Sequence, residues 1–224
     1  MKKLFKGLVS FCMGFMMVCN VFVVHAAESP VVTEEAQFSN EEWESFIDEI
    51  IKIKEKNPDK ADEEIVAIIS ASVKARDVES RGILDTWNAL TASEKLLCVK
   101  YPFAALKVNE ARNIATEQTK RKFGYNGLGD RSDAFRHGMW NAEMTVLIGA
   151  EKAELFATAH EDKDTTGNES DGYSKEEHKN MDLNNNAVGR VIGQNNSSFS
   201  EDEFADYIYD LIYSADTSFI WLHD

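Results

Sequence analysis

The chain has 224 residues, with 24 basic against 39 acidic side chains and a formal charge of −15 at pH 7. Such a surface repels phosphate backbones and anionic headgroups within a Debye length of about 8–10 Å, so general nucleic-acid binding is not expected and cation binding is favoured. Three prolines and no sustained period-two alternation leave helical periods dominant, so the expected class is an all-α, multi-helix bundle.

Met1 to Ala26 read as a cleavable secretory signal peptide. Lys2, Lys3 and Lys6 form a positive start, an apolar run follows from Leu8 to Val24, and Val24 and Ala26 stand three and one residues before the expected cut. A retained membrane anchor is the rival, and Asn20 within the run argues against it. Lipid-linked processing at Cys19 meets Val18, bulkier than the small residue such processing needs. Export to the extracellular space or the cell envelope follows, with no transmembrane segment after cleavage. An envelope component or a protein is then the expected partner. Cleavage removes three of the basic residues and no acid, which deepens the charge to −18. It also removes Cys12 and Cys19, so Cys98 stays alone in the apolar run Leu96–Val99 and no internal disulfide is open to it.

Residues 27–38 form a polar leader and residues 39–75 a helical hairpin. Ser39 with Glu42 makes a capping box for a helix whose Trp43, Phe46, Ile47, Ile50 and Ile51 share one face. Asp59 starts a second helix carrying Ile65, Ile68, Ile69 and Val73. A charged patch, Lys74 to Arg81, separates the hairpin from a core domain at 80–224. There, Thr91 and Glu94 predict another capping box, and Tyr101-Pro102 begins a long helix to about Phe123. Gly124 to Asp130 is a loop by composition. Helices are expected from Ser132 to Ile148, Ala150 to Glu161 and Asp182 to Ile192, with a polar loop at 162–179. Ser200 and Glu203 cap the last.

The Ser132–Ile148 helix is apolar on most sides, so it is expected to be buried. Ala134, Gly138 and Thr145 form a strip of small residues where another helix can approach closely. Yet Asp133 and His137 lie one turn apart on the face of Trp140 and Met144, with Arg136 beside them. The next helix ends an inward stripe at His160, followed by Glu161. The one after carries Asp182, Asn185, Asn186 and Arg190 on or near one side. Buried charges cost several kcal/mol unless paired. One reading is a satisfied polar network that sets helix register. The other is a site. Asp133, His137, His160 and Asp182 are enough ligands for a divalent ion, zinc or calcium, that acidifies a water. His137, His160, Glu161, Arg136 and Arg190 are then the candidate catalytic groups, and Trp140, Asn185 and Asn186 line the site. A metal-free acid–base site on either histidine is the third option.

The set Asp133-Ala134-Phe135-Arg136-His137, Ala159-His160-Glu161 and Met181-Asp182-Leu183 through Asn185-Asn186 to Gly189-Arg190 resembles an uncharacterised bacterial domain family. That family occurs in exported proteins and as a module of larger surface or toxin-like ones. The resemblance runs from about Leu90 to Ile192 and implies that these positions form one site. It implies no particular activity.

Weaker signals remain. Asp162, Asp164 and Gly167 open like a calcium loop, but Tyr173 stands at the twelfth position instead of a bidentate Glu. His178 lies in the polar loop, and His223, next to the last residue, is expected to be exposed. There is no Gly-x-Ser-x-Gly, phosphate-binding glycine loop or Cys pair, so serine-hydrolase, nucleotide-binding and redox readings lack support. Two functions stay in play. One is a secreted hydrolase, metal-dependent or His/Asp-based, acting on an envelope or extracellular substrate. The other is a non-catalytic exported domain that binds a partner or a cation.

Overall fold

Short polar signals start several of the helices. The hydroxyls of Thr91, Ser174 and Ser200 each accept the backbone N–H of a glutamate three residues on, and each glutamate carboxylate accepts the cap's own N–H. The structure, a computed structural model, describes residues 40–74 and 81–224, the side chains of 81–84 aside. The expected signal peptide, polar leader and Ser39 cap, and most of the Lys74–Arg81 patch, lie outside the described residues.

Among the described residues the chain forms α1 (Asn40–Glu55), α2 (Asp62–Lys74), α3 (Arg81–Ala89), α4 (Ala92–Lys100), α5 (Pro102–Phe123), α6 (Arg131–Ile148), α7 (Ala150–His160), α8 (Lys175–Asn195) and α9 (Glu201–Ile212). This is the all-α bundle that the helical periods predict. Pro102 opens α5, where a missing N–H costs nothing, and Gly124 at φ 85° closes it. Helix α6 runs through the middle and packs on α5, α7, α8 and α9. Helices α1 and α2 lean on α5 and α4 and share one apolar core with the rest. Trp43 Nε1 donates to the Ala105 carbonyl at 3.0 Å, which ties α1 to α5.

The small-residue strip of α6 works as expected. A Cβ on Gly189 of α8 would lie 2.2 Å from the Gly138 carbonyl oxygen, so the two helices meet backbone to backbone. On the other side of Gly138 lies the buried ring of Phe219, brought there by the C-terminal tail.

Three expectations need correcting. Helix α3 has no counterpart in the sequence reading. Its Trp87 is buried against Phe46 and donates to Ser70 Oγ at 2.9 Å, so tertiary contacts anchor a segment whose local pattern is weak. Helix α8 begins at Lys175 and not Asp182, because the Ser174–Glu177 box caps a polar first turn that has no apolar stripe. Asp182 is therefore mid-helix. His223 is half-buried, stacked on Tyr173 and within 2.9 Å of the Leu128 carbonyl. No helix among the described residues is long and apolar enough to cross a membrane.

Candidate metal centre

The centre starts from the turn between α5 and α6. Asp130 caps α6, its Oδ1 accepting the N–H groups of Ser132 at 2.8 Å and Asp133 at 3.1 Å. Gly129, at φ 74°, donates its N–H to Asp133 Oδ2 at 2.7 Å. A side chain at that position would strike the Asp171 carboxylate at 2.6 Å, so only glycine brings this donor into place. The other oxygen of Asp133 contacts the Arg136 guanidinium and faces inward.

One turn along α6, His137 is 4% exposed. Its Nδ1 lies 3.1 Å from Asn186 Oδ1, an amide oxygen that can only accept and that also takes the Asn141 Nδ2 hydrogen at 2.6 Å, so Nδ1 carries the proton. That tautomer leaves a lone pair on Nε2. Nε2 lies 3.5 Å from Asp133 Oδ1 and 3.3 Å from Asp182 Oδ1. Asp182 Oδ1 has no hydrogen bond, so its separation from the imidazole is an approach without alignment. Ligand atoms from Asp133, His137 and Asp182 all lie within 4.8 Å of one another. Bonds of about 2.0–2.2 Å to a common ion at tetrahedral or octahedral angles put neighbouring ligand atoms roughly 2.9–3.5 Å apart. Both separations from Nε2 fall in that span.

Burial, and then the Arg136 cation, hold the His137 imidazole below its ordinary pKa against the opposing pull of Asp133 and Glu161. Burial, and then the charges of Asp133 and Glu161, push Asp182 well above the carboxylate range. A neutral imidazole is the ligand form of histidine.

The remaining candidates fall around this centre. Glu161, the C-cap of α7, has Oε1 buried without a hydrogen bond, 4.0 Å from His137 Nδ1. His160 is placed apart from the three. Its Nδ1 meets Glu94 Oε1 at 2.9 Å, so it fastens α7 to the cap of α4. The same glutamate accepts the Thr91 N–H, and Thr91 Oγ1 donates to the Ala159 carbonyl at 2.7 Å. Trp140 stands between the two histidines, 6.4 Å and 5.3 Å from them by ring centroids. Arg190 donates to Asn141 Oδ1 at 3.2 Å and pairs with Glu154 on the outside. Asn185 turns away from the centre, exchanging two hydrogen bonds with the Ile220 backbone of the tail. In the acidic loop, Asp164 accepts the Thr166 N–H and Asp162 accepts the Ser93 hydroxyl, so the two face different neighbours.

Sequence reasoning did not place Gly129, Asn141 or Lys163 at the site, and it read Glu94 as a cap alone. Asn141 carried a signal, four residues after His137 on the same face. The others depend on loop and tertiary placement.

Two cavities reach the centre. One of about 250 Å³ is mostly apolar, walled by Trp43, Leu90, Val108, Ala115, Trp140 and Phe156. The other, about 120 Å³, is polar and bordered by Asp133, Glu161, Lys179 and Asp182. Arg136, His137, His160 and Lys163 border both.

Residues 95–216 match the model of the family described as domain of unknown function DUF6973, and the chain belongs to that family. No curated protein and no solved structure matches it.

Proposed function

We propose, for this member of the DUF6973 family, a secreted hydrolase that works through a divalent metal ion held by Asp133, His137 and Asp182. One observation carries the reading. Three acceptor atoms from two helices converge within 4.8 Å of one another, His137 Nε2 standing 3.5 Å from Asp133 Oδ1 and 3.3 Å from an Asp182 Oδ1 that has no hydrogen bond. Acceptors brought this close repel one another unless a cation sits among them. Arg136 answers part of the charge on Asp133, and the carboxylates of Asp182 and Glu161 remain. An ion held by these three would acidify a water from the polar cavity into a nucleophile. Glu161, which borders the same cavity, would be the base that takes its proton. The signal-like N-terminus supports a substrate outside the cytoplasm.

Elemental analysis of the purified protein tests this. About one equivalent of a divalent transition metal per chain is expected, and Asp182→Asn should lose it. Chelation should abolish hydrolysis and lower the melting temperature by about 5–10 °C, since an ion at a hundred times its Kd stabilises by roughly 2.7 kcal/mol. A second reading rests on Asp182, whose raised pKa lets a proton take the place of the ion. The cluster is then a structural network. Protein that carries no metal, takes up none from zinc, manganese or calcium, and melts unchanged in chelator would establish that reading instead.

A further inference from the structure

The two cavities differ in character and meet at one seam. We infer that the apolar cavity seats the hydrocarbon chain of a phosphate-bearing amphiphile, whose phosphoester bond then lies at the metal centre. This rests on the hydrolase reading above and names its substrate class.

The size of the cavity limits the chain. An apolar cavity of about 150 Å³ takes up the six carbons of benzene, so one of about 250 Å³ has room for a chain of roughly eight to ten. Tryptophan, leucine, valine and phenylalanine walls offer such a chain contact along its length, and exposed Ala89 and Lys163 mark the open rim. The head meets different chemistry. Arg136 and Lys163 border both cavities, and Lys175 and Lys179 stand at the polar one. The polar cavity is bordered by four cations and five carboxylates, so a divalent ion turns its balance positive. In a chain of charge −15 this is a local reversal of sign. A dianion matches the ion and the positive charge of Arg136 and the lysines, whereas a neutral ester has no use for the flanking lysines. In the step implied, water oxygen forms a new bond to phosphorus and the phosphorus–oxygen bond to the chain breaks. The departing alkoxide ends with the water's proton, giving an alcohol and inorganic phosphate.

Binding, read on mixing and before hydrolysis proceeds, tests this. Metal-loaded full-length protein is titrated with inorganic phosphate, butyl phosphate, octyl phosphate and octanol, following the fluorescence of Trp43 and Trp140 in the cavity wall. Octyl phosphate should bind at least 100-fold tighter than inorganic phosphate. Affinity should rise roughly tenfold for every two carbons and level off near eight. Lys163→Glu should weaken octyl phosphate about tenfold and leave octanol unchanged, and Ala115→Leu should shorten the preferred chain. Equal affinity for inorganic and octyl phosphate by a protein that still holds its metal overturns the chain assignment alone. Equal binding of octanol and octyl phosphate by a protein that holds no metal overturns the phosphate assignment together with the hydrolase reading.

Discussion

Single side chains in this molecule sit in environments that set their protonation, and Glu143 on α6 is the clearest case away from the centre. It is 6% exposed, one oxygen lacks a hydrogen bond, and burial followed by the charges of Glu201 and Glu110 raises its pKa from 4.5 to about 7. The fold therefore favours the protonated form. Below 4.5 the group is neutral in folded and unfolded chains alike, and no cost arises. As pH climbs to about 7 the unfolded chain sheds a proton that the folded one keeps, and stability falls across that window. Glu143→Gln removes the cost. Thermal melts should show no change near pH 4 and a rise of about 2–4 °C near pH 8, the shift that roughly 1 kcal/mol produces in a chain this size. An equal rise at both pH values would mean that the gain comes from packing. His160 gives a second test at this scale. Because it binds Glu94 rather than the proposed ligand triad, His160→Ala should keep any metal held there and cost about 1–2 kcal/mol through the loosened α4–α7 joint. Loss of the metal in that variant would bring His160 into the ligand set.

Helices, more than side chains, decide whether the centre exists. Asp133 and His137 ride on α6, Asp182 and Asn186 on α8, and the separation of the two helices sets that of the ligand atoms. Gly138 and Gly189 set it at backbone contact. Alanine in a helix is favoured over glycine by about 1 kcal/mol, which argues for a gain from Gly189→Ala. The new Cβ would stand 2.2 Å from a carbonyl oxygen, though, and backbone cannot swing aside as a flexible side chain can. Overpacking of this kind costs about 1–3 kcal/mol or more, so the net effect is destabilising. The helices should part, and metal affinity should fall by at least tenfold together with stability, read by calorimetric titration and thermal melts. Normal metal affinity in a destabilised variant would separate the centre from this contact. The close approach was legible in the sequence as the strip of Ala134, Gly138 and Thr145, and so was the inward turn of Asp133 and His137, because helical period maps directly onto a face. Two features were not legible. Helix α3 depends on Trp87 finding Phe46, and the position of His160 on a glutamate sixty-six residues away in sequence. Local periodicity carries no term for such partners. The start of α8 differs, since its Ser174–Glu177 box is a local signal that the polar turn after it, lacking an apolar stripe, hid.

On the scale of the whole chain, charge and site pull in opposite directions. The molecule carries −15, or −18 if the expected signal peptide is removed, while the proposed ligand is an anion. Long-range repulsion acts on the approach of that ligand, and it is screened once the Debye length shrinks from about 30 Å at 0.01 M salt to about 8 Å at 0.15 M. The contacts that hold the head group lie in a partly buried seam beside Arg136, where screening is weak. Association and dissociation should therefore answer salt differently. Stopped-flow quenching with octyl phosphate should show an association rate several-fold faster at 0.15 M than at 0.01 M salt, with dissociation nearly constant. Most anion sites show the reverse, since a basic surface steers anions inward and salt removes the steering. A falling association rate here would mean that the local cations govern the approach as well as the binding, and that the acidic surface lies too far from the entrance to matter.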